Sequence, residues 1–275
     1  MEHVMFSIVV VCLNAGESLR ETIESIRMQT YGNYEIIVKD GLSKDGSLEK
    51  LPEDERIKVY REKDRGIYDA MNQAVEKVKG DYIYFLNCGD MFYDDGVLQK
   101  AARQIEEHLG KKEEIIAPQR EAAVFYGDIF ERLTGEKISS NPHMNAFGCY
   151  RNVPCHQACF YAARLMRRKK FDMKYRVRAD YEHFLWCFFK GETRMVYMPF
   201  LIADYEGGGF SETKENRKKS AKEHKEIVKK YMSAGQVFKY RMLMILSLAP
   251  LRTWLARSRV TAHFYNKVKE LLYGR

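Results

Sequence analysis

Val9-Val10-Val11-Cys12-Leu13-Asn14 is the stretch on which the fold turns. The β-branched run over residues 7–12 has the pattern of a strand buried on both faces, as in parallel sheets, and it ends on a polar residue. The same arrangement returns twice. Residues 34–38 predict a second strand leading into Asp40-Gly41-Leu42-Ser43-Lys44-Asp45-Gly46, and residues 82–86 predict another that delivers Asn87-Cys88-Gly89-Asp90. In an open α/β sheet, ligands collect in the crevice outside the carboxyl ends of the strands. Polar groups ending successive strands are therefore expected to converge. Carboxylates placed there suit ribose hydroxyls, a base N–H, or a divalent cation holding a diphosphate.

Helical periods fill the gaps between these strands. Leu19, Ile23 and Ile26 fall on one stripe of a helix over residues 17–29. A short strand is expected at residues 58–60. Ile67, Ala70, Met71, Ala74, Val75 and Val78 mark an amphipathic helix closed by Gly80. This alternation predicts an α/β fold with a Rossmann-like, mostly parallel sheet flanked by helices. Beyond residue 95 the rhythm changes. Helices are expected over 97–109, 164–169 and 180–190, and strands over 124–129 (leading to Arg132), 159–162 and 195–198. Residues 134–154, rich in Gly, Asn and Pro, read as a loop. Gly207-Gly208-Gly209 reads as a second loop, and Ser211 as the cap of a charged helix reaching residue 231. Two further helices are expected in 236–272, meeting at Pro250.

The charge is concentrated at one end. Residues 212–275 hold sixteen Lys and Arg against five Asp and Glu, so the whole net charge of +8 belongs to the C-terminal quarter. Such a surplus suggests an anionic partner or a solvated helical face. The apolar stretch 242–251 is ten residues long, whereas a membrane-crossing helix needs roughly 20. Flanked by Lys239, Arg241, Arg252, Arg257 and Arg259, with Trp254 nearby, it suits a helix lying in the membrane interface; packing on the rest of the chain is the alternative. The expected division is a catalytic domain over 1–210 and a basic helical extension over 211–275. Six cysteines without paired CxxC spacing, and a start that runs directly into a strand, fit a reducing cytoplasm.

The order and content of the three strand-end motifs resemble the family-2 glycosyltransferases of the GT-A fold. The resemblance implies a donor site of Val11, Leu13 and Asn14 at the end of the first strand, with Asp40, Ser43 and Asp45 in a loop similar to the family's DGSxDG segment, here carrying Leu42 between Gly41 and Ser43. It adds Asp64 toward the base and Arg65 toward the diphosphate, since a guanidinium pairs well with phosphate. Asn87-Cys88-Gly89-Asp90 aligns with the family's DxD metal motif but departs from it, leaving Asn87 as a donor-site residue and Asp90 as the metal ligand for Mg²⁺ or Mn²⁺. Arg178-Ala179-Asp180-Tyr181-Glu182 resembles the segment holding the catalytic base of inverting members; Asp180 aligns with that base and Glu182 is the reserve. His156 and Gln157 stand on the acceptor side.

The implied reaction is transfer of a sugar from a nucleoside diphosphate donor, UDP-linked, to a glycan or polyprenyl-linked acceptor in surface-polysaccharide synthesis. The enzyme would sit peripherally on the inner face of the cell membrane, with no nucleic acid as partner. Two rivals predict other features. A sugar-phosphate nucleotidyltransferase would carry a Gly-rich phosphate loop after the first strand, where this chain has Asn14-Ala15-Gly16-Glu17. A non-catalytic basic module gives no reason for polar groups to end three strands.

Overall fold

The computed structural model describes residues 4–110, 122–208 and 213–246. Strands β1 (Phe6–Cys12) and β2 (Tyr34–Asp40) are buried at every position, which accounts for their unbroken apolar runs. With β3 (Ile57–Arg61) and β4 (Tyr82–Phe85) they form a parallel array in the order β3-β2-β1-β4. Helix α1 (Glu17–Arg27) buries Leu19, Thr22, Ile23 and Ile26 on one face. Helix α2 (Ile67–Val75) buries Ala70, Met71, Ala74 and Val75 of the predicted stripe, leaves Ile67 half-buried, and also buries Tyr68, Asp69 and Asn72. Strand order reverses direction between β1 and β4, and this switch point is where an α/β sheet opens its crevice.

The second half of the sheet is mixed. The sequence continues through β5 (Met91–Phe92), α3 (Val97–Gly110), β6 (Ala122–Glu131), β7 (Glu136–Ile138), α4 (Ala146–Arg151), β8 (Cys159–Ala162), α5 (Ala163–Arg168), α6 (Ala179–Lys190) and β9 (Thr193–Tyr205). In the sheet these strands extend the order as β4-β8-β6-β9-β5, with β7 paired to β6. β8 runs antiparallel to β4 and β6, while β6 and β9 are parallel. One consequence matters for the site. The carboxyl ends of β1, β2, β4, β6 and β9 share an edge, and the antiparallel β8 enters from that same edge, bringing residues 155–158 beside Asn87.

Several local expectations are revised. Residues 134–154 contain β7 and α4, a helix of six residues capped by Asn145, whose Oδ1 accepts from Gly148 N at 2.8 Å. The strand expected at 195–198 runs on to Tyr205, because the pairing shifts between Tyr126 and Asp128 and absorbs Pro199 in an irregularity. Gly80 does not cap α2, which ends at Glu76. A Cβ at Gly80 would lie 2.7 Å from Ser7 N and 2.8 Å from Met5 O, so this glycine lets two backbones approach.

Helices α7 (Lys214–Tyr231) and α8 (Ala234–Leu246) follow. The chain divides into compact units of residues 1–225 and 226–275, so α7 begins in the first unit. In the second, α8 buries none of its side chains and exposes Phe238, Ile245 and Leu246. Among the described residues no helix is long and apolar enough to cross a membrane. Gly209, Ser211, Pro250, Arg252, Trp254, Arg257 and Arg259, invoked above, lie outside the described residues, as does half of the apolar stretch.

Candidate active site

The loops after β1 and β2 are stitched into one surface. Asn14, at φ 50°, accepts from Lys44 N through Oδ1 (3.0 Å) and donates its own N–H to Ser43 Oγ (2.8 Å). Asp45 accepts from Gly16 N at 2.8 Å and from Ser47 Oγ at 2.7 Å, and these contacts hold its carboxyl below the ordinary range. Asp40 is wholly buried. It accepts from Leu42 N, Ser43 N and the Ser43 hydroxyl, and lies 3.4 Å from Arg61 Nε. Its carboxylate therefore shapes the loop, as an Asx-type turn does. What this surface presents outward is apolar: Leu13 and Leu42 are exposed, Leu42 at φ 73°, while Val11 lies at the margin of burial.

Beneath it lies a lysine that periodicity alone would assign to an apolar face. Lys39 is 1% exposed, and its Nζ donates to the carbonyls of Asp40 (3.1 Å) and Glu62 (2.5 Å) and to Asp64 Oδ2 (3.3 Å). A buried ammonium needs such partners. They fix Asp64 beside Gly41, where an added Cβ would stand 2.8 Å from Asp64 Oδ2 and 3.3 Å from Leu13 Cδ1. Arg65 is exposed and folds onto Asp69 through Nε and Nη2, each at 3.3 Å. That pairing lowers the Asp69 carboxyl.

The loop after β4 is the most congested part. Gly89 sits at φ +95°, and a Cβ there would come within 2.4 Å of Glu206 Oε2. The positive φ strains any other residue at 89, and the carboxylate of Glu206, just past β9, borders the space beside it. Asp90 is 4% exposed, accepting from Gln157 Nε2 at 2.7 Å and from Glu206 N at 3.0 Å. Burial raises its carboxyl, outweighing those hydrogen bonds and the nearby His156 and Arg132. Gln157, expected on the acceptor side, is 3% exposed and supports Asp90 instead. Arg132, just past β6, donates to Gly89 O and lies 2.9 Å from Asp204, a carboxyl that burial raises. Arg132, Asp204 and Glu206 were not singled out as site residues; only the parallel pairing of β6 and β9 brings their ends here.

Asn87 carries an open valence. Its Nδ2 donates to His156 Nε2 at 3.1 Å, while its buried Oδ1 has no hydrogen-bond partner among the described residues. An orphaned amide oxygen near a buried carboxylate fits a hard cation, which takes oxygen ligands and can complete its shell from a diphosphate. The protein share of such a site is small: among the described residues no group of three or more His, Cys, Asp or Glu is arranged to hold a metal.

Asp180 stands in the first turn of α6 with 26% of its side chain exposed. Oδ1 accepts from the Tyr68 hydroxyl and from Tyr181 N, both at 2.8 Å; Oδ2 lies 3.5 Å from His156 Nδ1. Because Nε2 of His156 accepts from Asn87, its Nδ1 carries the proton and faces the carboxylate. Burial works to raise Asp180, but His156, Tyr68 and the Tyr181 N–H together hold it below the ordinary value. Tyr68 itself is pushed well above its usual range by burial and by Asp180, so it stays a donor. Glu182, the reserve candidate, is fully buried and paired to Lys169. The partly exposed Asp180 carboxylate, held ionised, thus faces the shared edge and is linked through His156 to Asn87. The arrangement can take a proton near a site suited to a diphosphate.

Comparison with known proteins agrees with this geometry. The family model for Glycosyl transferase family 2 matches residues 7–176. A PGL/p-HBAD biosynthesis glycosyltransferase of Mycobacterium bovis is 32% identical over 216 residues, covering 76% of this chain and 80% of its own. Among solved structures, S. aureus TarS 1-349 in complex with UDP-GlcNAc superposes with a TM-score of 0.59 at 15% identity, over 96% of this chain and 70% of that one; TarS 1-349 alone aligns over 74% of this chain and 60% of its own length. The mannosyltransferase PcManGT from Pyrobaculum calidifontis, in complex with GDP-Man and Mn²⁺, superposes with a TM-score of 0.60 at 13% identity, over 99% and 82%. The structural likenesses show a GT-A architecture. With the family match spanning the parallel sheet and its strand-end loops, this chain belongs to glycosyltransferase family 2.

Proposed function

We propose that the enzyme transfers a sugar, with inversion, from a UDP-linked donor to a glycan or lipid-linked hydroxyl. The observation that carries this reading is Asp180: a carboxylate kept ionised, partly open, and tied by hydrogen bonds to the strand-end loops. A single displacement needs such a base opposite the leaving diphosphate. In this reaction Asp180 takes the proton of the acceptor hydroxyl as its oxygen bonds to the anomeric carbon. The bond from that carbon to the diphosphate oxygen breaks, and its electron pair leaves with the diphosphate. Tyr68 and His156 hold Asp180 in place, which keeps the reacting geometry without reorganisation.

The donor is assigned to the β1/β4 switch point. Leu13 and Leu42 offer an apolar seat for the base, with Val11, Asn14 and Ser43 framing it and Asp64 at its edge. Arg65, now folded on Asp69, and Arg132 are the guanidiniums within the loops nearest the diphosphate. Asn87 Oδ1 and Asp90 would hold Mg²⁺ or Mn²⁺ together with diphosphate oxygens. When bound, that cation supplies charge stabilisation for the departing diphosphate. The solved relatives support either base, one complexed with UDP-GlcNAc and another with GDP-Man and Mn²⁺. The name of the mycobacterial relative supports a glycolipid acceptor.

The test is release of nucleoside diphosphate from a panel of UDP-, GDP-, CDP- and dTDP-sugars, with a membrane lipid extract as acceptor source and Mn²⁺ present. A UDP-sugar is expected to turn over in an extract-dependent manner. Turnover confined to a GDP-sugar would overturn the base assignment, and no turnover of any donor would overturn the reading.

A lipid-linked acceptor would be met at the cytoplasmic membrane face. The exposed apolar side chains of α8, with the exposed Lys239 and Arg241 in the same helix, support docking on anionic lipid, since apolar contact and basic charge act together at such surfaces. Co-sedimentation with vesicles is expected to be strong for anionic lipid, weak for neutral lipid, and reduced by Phe238→Glu with Leu246→Glu. Failure to pellet with anionic vesicles would remove the proposal.

A further inference from the structure

Helix α7 belongs by composition to a basic surface, yet it buries an acid. Its eight cationic side chains are exposed, while Glu223 is 5% exposed. The Glu223 carboxylate accepts three successive backbone N–H groups, those of Arg176 (3.0 Å), Val177 (3.0 Å) and Arg178 (2.9 Å). These are the residues immediately before α6, the helix that carries Asp180. A helix start leaves backbone donors unpartnered, and the N-cap residue here, Arg178, makes no side-chain capping bond. Glu223 takes the N–H of that N-cap and of the two residues before it from 45 to 47 residues away, while Asp180 Oδ1 takes the first-turn Tyr181 N. The same face of α7 adds two more ties. Ser220 Oγ accepts from Arg178 Nε at 2.7 Å, and His224 Nε2 meets Tyr150 O at 2.9 Å while its ring packs on Tyr181 at 5.1 Å.

Val177 is therefore pinned on both sides. Its N–H goes to Glu223, and its carbonyl accepts from the Tyr68 hydroxyl at 3.0 Å. Tyr68 is the group that also reaches Asp180 Oδ1. The position of the base carboxylate thus depends on a clamp whose outer jaw is Glu223.

We propose that Glu223 is a positioning residue for Asp180, so that the middle of α7 helps to hold the base in place. A buried carboxylate satisfied by three N–H groups is a firm anchor. An amide in its place offers one oxygen to three donors and turns an N–H₂ group toward them, so the 176–178 turn must shift and Tyr68 loses its seat. This inference rests on the assignment of Asp180 as base.

The experiment compares Glu223→Gln, Glu223→Asp and Tyr68→Phe with the wild-type enzyme in the donor-release assay, with nucleotide binding measured separately. Glu223→Gln is expected to lower kcat by about 10- to 100-fold, the scale of a small misplacement of a catalytic group, with donor KM and nucleotide affinity within about twofold. Loss of the Tyr68 contact, which helps keep Asp180 low, should move the acid limb of the kcat–pH profile to higher pH. Glu223→Asp, which keeps the charge, should restore much of kcat. Glu223→Gln combined with Tyr68→Phe should be no worse than the poorer single variant. If Glu223→Gln does not fold, Glu223→Asp carries the test: its shorter arm should move the acid limb to higher pH, but by less than Tyr68→Phe does. An unmoved acid limb, or kcat and nucleotide affinity falling in parallel, would overturn the proposal. Asp180→Asn in the same assay separates the two ideas: full activity there defeats the base assignment itself, whereas inactivity beside an unaffected Glu223→Gln defeats only the clamp.

Discussion

Asp180→Asn is expected to reduce kcat by about 10²- to 10⁴-fold, the usual contribution of a positioned general base, while nucleotide affinity stays within about twofold of wild type. The substitution keeps shape, its amide oxygen can still accept from Tyr68 and Tyr181 N, and only the 3.5 Å contact to His156 Nδ1 is lost. What it loses is the ability to take a proton. The wild-type pH profile follows from the same groups. His156 and Tyr68 stabilise the ionised form, and the groups around them do not oppose it: the Cys155 thiol is pushed up to about 12 and stays neutral, and burial keeps His183 uncharged with its value down to about 3. Because Asp180 is held below the ordinary carboxylate value, it is ionised throughout the neutral range. Turnover should not decline on its account between pH 8 and pH 5, and the limb it controls should lie further into acid. Steady-state kinetics across that range, paired with nucleotide titration of the variant, check both statements. Near-wild-type kcat in Asp180→Asn would exclude it as the base.

Asp90→Asn is expected to separate stability from activity. In the free enzyme Asp90 is a carboxyl raised by burial, so the folded state holds its proton more tightly than the unfolded state does. Ionisation then costs the folded state something, a deficit that grows as pH rises through the ordinary carboxylate value and is complete above the folded one. A neutral amide removes that cost: its oxygen still accepts from Glu206 N, and Gln157 can turn its own amide oxygen to the new N–H₂ group. The Tm of Asp90→Asn should equal or exceed that of wild type near pH 7.5, and the difference should shrink toward pH 4. Activity should move the other way, falling by about 10²- to 10³-fold as the anionic ligand for the cation is lost, equivalent to a few kcal/mol of charge stabilisation. Thermal melts across pH and donor-release rates measure the two effects. A variant both unstable at neutral pH and fully active would contradict this account of the loop.

The parallel half of the fold was legible because burial on both faces leaves an unbroken apolar run, as in β1 and β2. The second half was legible only in part. α4 spans six residues and β5 two, too short for any period to register, and β9 passes through Pro199, which reads as a stop. The resemblance to the family points to Asp40, Asp90 and Asp180, and the fold brings two strand-end loops and the start of α6 to one edge. Their partners could not be read in this way. Glu223 reads as one acid among lysines, and Lys39 as an interruption in an apolar strand. Gln157 reads as an acceptor contact, while the fold gives it to Asp90. Each of these roles is fixed by a pairing across tens of residues, which leaves no local pattern in the chain.

The central claim is that the loops after β1, β2 and β4 form one site for a nucleoside diphosphate completed by a divalent cation. Calorimetric titration of the wild-type enzyme with UDP, with and without Mn²⁺, tests it most directly. The account predicts a single site whose affinity rises at least about tenfold with Mn²⁺, a gain of about 1.4 kcal/mol. Equal affinity in both conditions, or no binding at millimolar UDP, would contradict it.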